Sequence, residues 1–129
     1  MAKTALDLKG DEWRAYDPGA AIRRRQASVD PQVQERWQQA QQLARTAAQQ
    51  LRDQFGARRV VLFGSAVERS LFTQWSDVDL AVWGVPPERF YEAVAAVTSL
   101  RVDIPVDLVD AERSSEDLKK TIEQEGVEL

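Results

Sequence analysis

The run Arg59-Val60-Val61-Leu62-Phe63 is apolar, β-rich and without period, the pattern of a strand buried on both faces. Two further runs read as strands beside it. In Asp77-Val78-Asp79-Leu80-Ala81-Val82 acidic and apolar residues alternate, and residues 104–109 form a third run, Ile104-Pro105-Val106-Asp107-Leu108-Val109. Residues 66–75 are a variable connection between the first two strands, and Trp83-Gly84-Val85-Pro86-Pro87 is a turn.

Helices alternate with these strands. Asp30-Pro31 is a helix start, with Asp as cap and Pro in the first turn. From there Val33, Trp37, Ala40, Ala44, Ala47, Ala48, Leu51 and Phe55 recur at helical spacing, and Gly56 is placed to end the helix. Its other face, crowded with Gln, is expected to be solvated or to receive a partner protein. Residues 88–99 predict a second helix with Phe90, Tyr91, Val94, Val97 and Leu100 on its buried side. Ser114 is the expected cap of a third helix, anchored by Leu118 and Ile122 and followed by Gly126. The expected order is α-β-β-α-β-α. Residues 1–29 lack a clear period and predict an N-terminal arm with one short helix near 19–27 and an Arg23-Arg24-Arg25 run. Residues 30–129 are then the domain.

Composition narrows the chemistry. The chain has 129 residues, no Cys and no His, which removes disulfides, His-type zinc sites and Ser-His-Asp or Cys-His catalysis. No apolar stretch is long enough for a transmembrane helix, no signal peptide core opens the chain, and a cytoplasmic location is expected. Residues 1–59 carry 11 basic and 7 acidic side chains, whereas residues 60–129 carry 6 and 14. An acidic second half is a poor nucleic-acid surface and a suitable setting for a divalent cation.

Three features fit one site. On a strand, Asp77 and Asp79 project from the same face with Cα atoms roughly 6.5–7 Å apart. Carboxylates that close repel one another unless a cation neutralises them. Mg²⁺ prefers a few carboxylates together with phosphate oxygens. Asp107 approaches the same point if its strand is a neighbour, and three converging acids seat two metals about 3.5–4 Å apart. Gly64-Ser65, after the first strand, supplies backbone that approaches phosphate closely, peptide N–H groups and a hydroxyl. Alone, a D-x-D is usually structural, a Gly-Ser pair is mostly a turn, and Asp107 is a surface acid. Their joint order points to metal and nucleotide phosphate.

These residues resemble the DNA polymerase β-like nucleotidyltransferase superfamily. Its pattern is Gly-Ser after a strand, D-x-D on the next and a third acid on a later one. The runs Ser76-Asp77-Val78-Asp79-Leu80-Ala81-Val82, Val106-Asp107-Leu108-Val109 and Ile122-Glu123-Gln124-Glu125-Gly126-Val127 look most like its minimal nucleotidyltransferase (MNT) branch, over about residues 43–127. The resemblance implies an α/β (α+β) fold, a small mixed β-sheet with helices packed on it. It further implies an antitoxin that transfers AMP from ATP to a tyrosine hydroxyl of a HEPN-domain toxin and forms a stable complex with it. By carry-over Asp77, Asp79 and Asp107 are catalytic and hold Mg²⁺, while Gly64 and Ser65 hold the nucleotide. Family members commonly read Gly-Ser-Arg-Ala-x-Gly. Here residues 64–70 are Gly-Ser-Ala-Val-Glu-Arg-Ser, without the early Arg or second Gly, which leaves Arg69 as a substitute phosphate contact.

Two alternatives accompany this expectation. One is an antitoxin that acts by contact alone, with the site vestigial or nucleotide-sensing. The other is a metal-dependent nuclease, which explains Gly64-Ser65 poorly. A homodimer through the long helix is compatible with the pattern. Trp13, Trp37, Trp75 and Trp83 are expected to be packing residues.

Overall fold

The computed structural model describes residues 30–129. The expected N-terminal arm, its short helix, the Arg23–Arg25 run and Trp13 lie outside the described residues. Helix α1 spans Pro31–Phe55, and the side chain of Asp30 accepts a hydrogen bond from the Gln32 amide at 2.8 Å. Pro31 costs that first turn nothing, because its amide would have had no helical partner. Gly56 closes the helix in the left-handed region, φ 73°. Strand β1 (Arg59–Phe63) follows, and two 3₁₀ turns, Gly64–Val67 and Arg69–Leu71, lead toward β2 (Val78–Trp83). Helix α2 (Phe90–Thr98) crosses to β3 (Val106–Asp110), and helix α3 (Glu116–Glu125) leads to the two-residue β4 (Val127–Glu128).

The order thus matches the expected one with a short fourth strand added at the end. The sheet runs β3-β2-β1-β4, with β1 antiparallel to both neighbours and β2 parallel to β3. It is a mixed sheet in an α+β fold. The β2–α2–β3 segment is the crossover that a parallel pair requires.

Because side chains alternate along each strand, the sheet divides the core in two. Val60, Leu62, Val78, Leu80, Val82, Val106 and Leu108 join the buried stripe of α1 and Ala93 and Val97 of α2. Val61, Phe63 and Ala81 meet Ile122 and Ala111 on the opposite face, under α3. The period-free β1 run is explained: both of its faces are covered.

Several local expectations shift. Tyr91 is 86% exposed rather than on the buried side of α2. A 3₁₀ turn, Pro87–Arg89, precedes the helix, and the buried stripe falls on Phe90, Ala93, Val94 and Val97. Tyr91 stands about 100° around from Phe90 and off that stripe. The cap of α3 is Ser115, whose Oγ accepts from the Leu118 amide at 3.2 Å. Ser114 instead donates to the Ala111 carbonyl at 2.8 Å and closes the turn Ala111–Arg113. Trp75 is 79% exposed and packs no core, whereas Trp37 packs against the main core and Trp83 lies under the Arg59 guanidinium, 4.2 Å from its ring centre. The connection after β1 is more than a variable loop, since Phe72 within it is fully buried. Leu43 joins the buried stripe of α1 as well.

Among the described residues no helix is long and apolar enough to cross a membrane.

Candidate active site

Phe63 ends β1 in extended conformation, and Gly64 turns the chain at φ 76°, a region open to glycine at no steric cost. A second constraint acts at the same position. A Cβ built on Gly64 would overlap Asp79 Oδ2 and lie 3.2 Å from its Cγ. Backbone and carboxylate are therefore in direct apposition. Ser65 follows on the same turn, half-buried, and Ala66 is fully buried beneath it. The Ala66 carbonyl accepts from Trp37 Nε1 at 3.0 Å and from Gln41 Nε2 at 2.7 Å. Part of the glutamine-rich face of α1, expected to be solvated, thus holds this turn.

The acids come from two adjacent strands. Asp79 pairs with Phe63 across the antiparallel side and with Asp107 across the parallel side. Neighbouring strands lie about 4.8 Å apart, so residues in register on one face are immediate neighbours. Asp77 lies on the turn into β2, one residue before the strand begins. Asp77 and Asp107 are exposed and Asp79 is half-buried. Burial, then the charge of Asp107, then that of Asp77, push the Asp79 carboxyl up to about 6. Arg69 opens the second 3₁₀ turn, which packs against the Gly64–Val67 turn.

The structure therefore brings Gly64, Asp79 and Asp107 side by side, sets Asp77 close enough to act on Asp79, and carries Ser65 and Arg69 on the adjoining turns. The candidate ligands, three carboxylates and the Ser65 hydroxyl, are all oxygens, the set that suits a hard divalent cation. Asp79 also experiences the uncompensated negative charge that such a cation would neutralise. Among the described residues, as their side chains stand, no group of three or more His, Cys, Asp or Glu forms a ready-made metal cage. The backbone supplies the convergence, and side-chain rotation would have to complete it.

A family model described as Polymerase beta, Nucleotidyltransferase matches residues 45–129. The chain belongs to this nucleotidyltransferase family. It is further similar to chains of solved toxin–antitoxin structures. One is a toxin–antitoxin crystal structure with AMP-PNP, at 26% identity and TM-score 0.56, covering 66% of this chain and 70% of that one. Another is the toxin–antitoxin MntA-HepT, at 25% identity and TM-score 0.52, covering 68% and 69%. A third is the tri-AMPylated Shewanella oneidensis HEPN toxin in complex with MNT antitoxin, at 25% identity and TM-score 0.53, covering 69% and 70%. The chain is MNT antitoxin-like. No curated protein matches it.

Proposed function

We propose that this protein is an Mg²⁺-dependent nucleotidyltransferase that moves AMP from ATP to a hydroxyl of a HEPN-type toxin, and so acts as its antitoxin in the cytoplasm. The observation that carries the reading is the register of Asp79 against Asp107 with Gly64 seated on the Asp79 carboxylate. The similar complexes support it, since one contains AMP-PNP and another an AMPylated toxin.

In this reading Gly64 and Ser65 bind the β- and γ-phosphates through backbone N–H groups and the Ser65 hydroxyl. Arg69 adds a cationic phosphate contact. Asp77, Asp79 and Asp107 would hold Mg²⁺. Bound there, two Mg²⁺ ions would offset charge on the triphosphate and activate the acceptor hydroxyl, whose oxygen bonds to the α-phosphorus in line and loses its proton to solvent as the bond to the β-phosphate breaks and pyrophosphate leaves. The acidic second half of the chain suits this cation better than a nucleic acid.

Calorimetric titration of ATP with and without Mg²⁺, in wild type and Asp77→Asn, tests the reading. Mg²⁺-dependent binding that the substitution abolishes is expected. ATP binding that is indifferent to both Mg²⁺ and Asp77 would sink it.

A second reading, neutralisation by contact alone, is favoured by the 64–70 turn without its second glycine and by the long glutamine-rich helix. Loss of the carboxylates would then leave toxin neutralisation intact.

A further inference from the structure

The first half of α1 reaches the Gly64–Val67 turn and the two loops that lead into β2 and β3. Trp37 and Gln41 fix the Gly64–Val67 turn through the Ala66 carbonyl. Arg36, beside them, joins two other loops. Its Nη2 donates to the Ser76 carbonyl at 3.1 Å, and its Nη1 donates to the Asp103 carbonyl at 2.9 Å. Ser76 directly precedes Asp77. Asp103 leads through Ile104 and Pro105 into β3 and Asp107. The two loops therefore hang from one guanidinium, and they next meet where the Val78 amide donates to the Pro105 carbonyl at 2.9 Å. The buried ring of Phe72 lies beneath Arg36, with its centre 6.0 Å from the guanidinium carbon.

Helix α1 packs on the sheet face opposite Asp79 and Asp107. Arg36 thus works from behind the site and contacts none of its three carboxylates. We propose that Arg36 is a positioning residue: it sets the spacing of the loops that enter β2 and β3, and through them the spacing of Asp77 and Asp107 around bound Mg²⁺. The part concerning Mg²⁺ rests on the function proposed above. The clasp itself does not.

Arginine suits the task because its planar fork presents two donors at fixed separation, one for each carbonyl. Lysine offers a single compact charge and cannot hold the same spacing. If Arg36 served only as a helix charge or a packing stem, lysine would replace it. If spacing is its role, lysine fails.

The test compares the full chain with Arg36→Ala and Arg36→Lys in two measurements. The first is amide hydrogen exchange over residues 76–79 and 103–107. The second is the Mg²⁺ concentration at which ATP binding is half-maximal. In both variants exchange in those two segments is expected to rise roughly tenfold or more, as local opening becomes easier. The Mg²⁺ midpoint is expected to rise about tenfold, because small misplacements of positioned groups have large effects. Exchange and midpoint within about twofold of wild type, or full rescue by lysine, would overturn the proposal. If Arg36→Ala does not fold, Arg36→Lys carries the comparison alone. If wild type shows no Mg²⁺-dependent ATP binding, the functional reading falls separately and exchange decides the clasp: faster exchange in the two segments upholds it, and unchanged exchange overturns it.

Discussion

Asp79 Oδ2 occupies the space that a Cβ on Gly64 would need. Gly64 also has a left-handed backbone, φ 76°, which Gly56 shares at φ 73° with nothing within 4 Å of its own Cβ position. Gly56→Ala is expected to lower stability by about 1 kcal/mol, the strain of a positive φ alone. Gly64→Ala should cost more, roughly 2–4 kcal/mol, and should abolish Mg²⁺-dependent ATP binding. Urea unfolding of both variants checks this. Equal losses would mean that the Asp79 carboxylate moves aside freely.

The Asp79 carboxyl is raised to about 6 in the folded protein by burial and by two neighbouring acids. Its unfolded value is the ordinary one, near 4. Between those limits the folded state holds a proton that the unfolded state has released. Stability from this group is therefore greatest below about pH 4 and falls as pH rises toward 6. Asp79→Asn removes the effect. Relative to wild type it should gain roughly 1–2 kcal/mol at pH 7, discounted for solvent screening of a half-buried group, and nothing at pH 4. Urea midpoints of the two proteins across pH 4–7 give the difference. A gain that does not depend on pH would count against a raised Asp79 carboxyl in the folded protein.

Asp77→Asn with Asp79→Asn separates transfer from contact. For an AMP-transferring antitoxin, the double variant should still bind its toxin, yet AMP incorporation and toxin neutralisation should both fall by at least about 100-fold. Labelled ATP and a toxin-activity assay measure the two. Neutralisation at wild-type level would favour the contact-only antitoxin.

Phe72 is 1% exposed and supports Arg36 from within the connection between β1 and β2. Phe72→Ala is expected to cost about 3–5 kcal/mol, as for other buried aromatic truncations. Leu71, 50% exposed beside it, should cost less than about 1 kcal/mol when truncated. Thermal or urea unfolding distinguishes them.

The sequence made the main elements legible because each carried a strong local signal. Asp30-Pro31 and Gly56 mark both ends of α1, and the period-free β1 run follows from burial on both faces. The Gly64, Asp79 and Asp107 neighbourhood was legible as a pattern of residue types, and the register supplied the contact. Other features depended on tertiary context. The phase of α2, which exposes Tyr91, follows from a preceding 3₁₀ turn. Ser114 and Ser115 are equally good caps in sequence, and only the Ala111–Arg113 turn chooses between them. The two-residue β4 exists because β1 offers an edge for it. Nothing local distinguishes Arg36 from the other arginines of α1, since its partners lie 40 and 67 residues away.

The parallel pairing of β2 with β3 imposes a parity rule on the chain. A slip of β3 by one residue would set Val106 or Leu108 opposite Asp79 and turn Asp107 into the apolar layer beneath α1 and α2. A slip by two would restore the face but carry Asp107 about 6.6 Å along the sheet, out of step with Asp79. Insertions between Thr98 and Pro105 are thus tolerable only where the added residues loop out and leave the strand pairing untouched. A change in the length of that crossover that shifts β3 would part Asp107 from Asp79 without altering either residue.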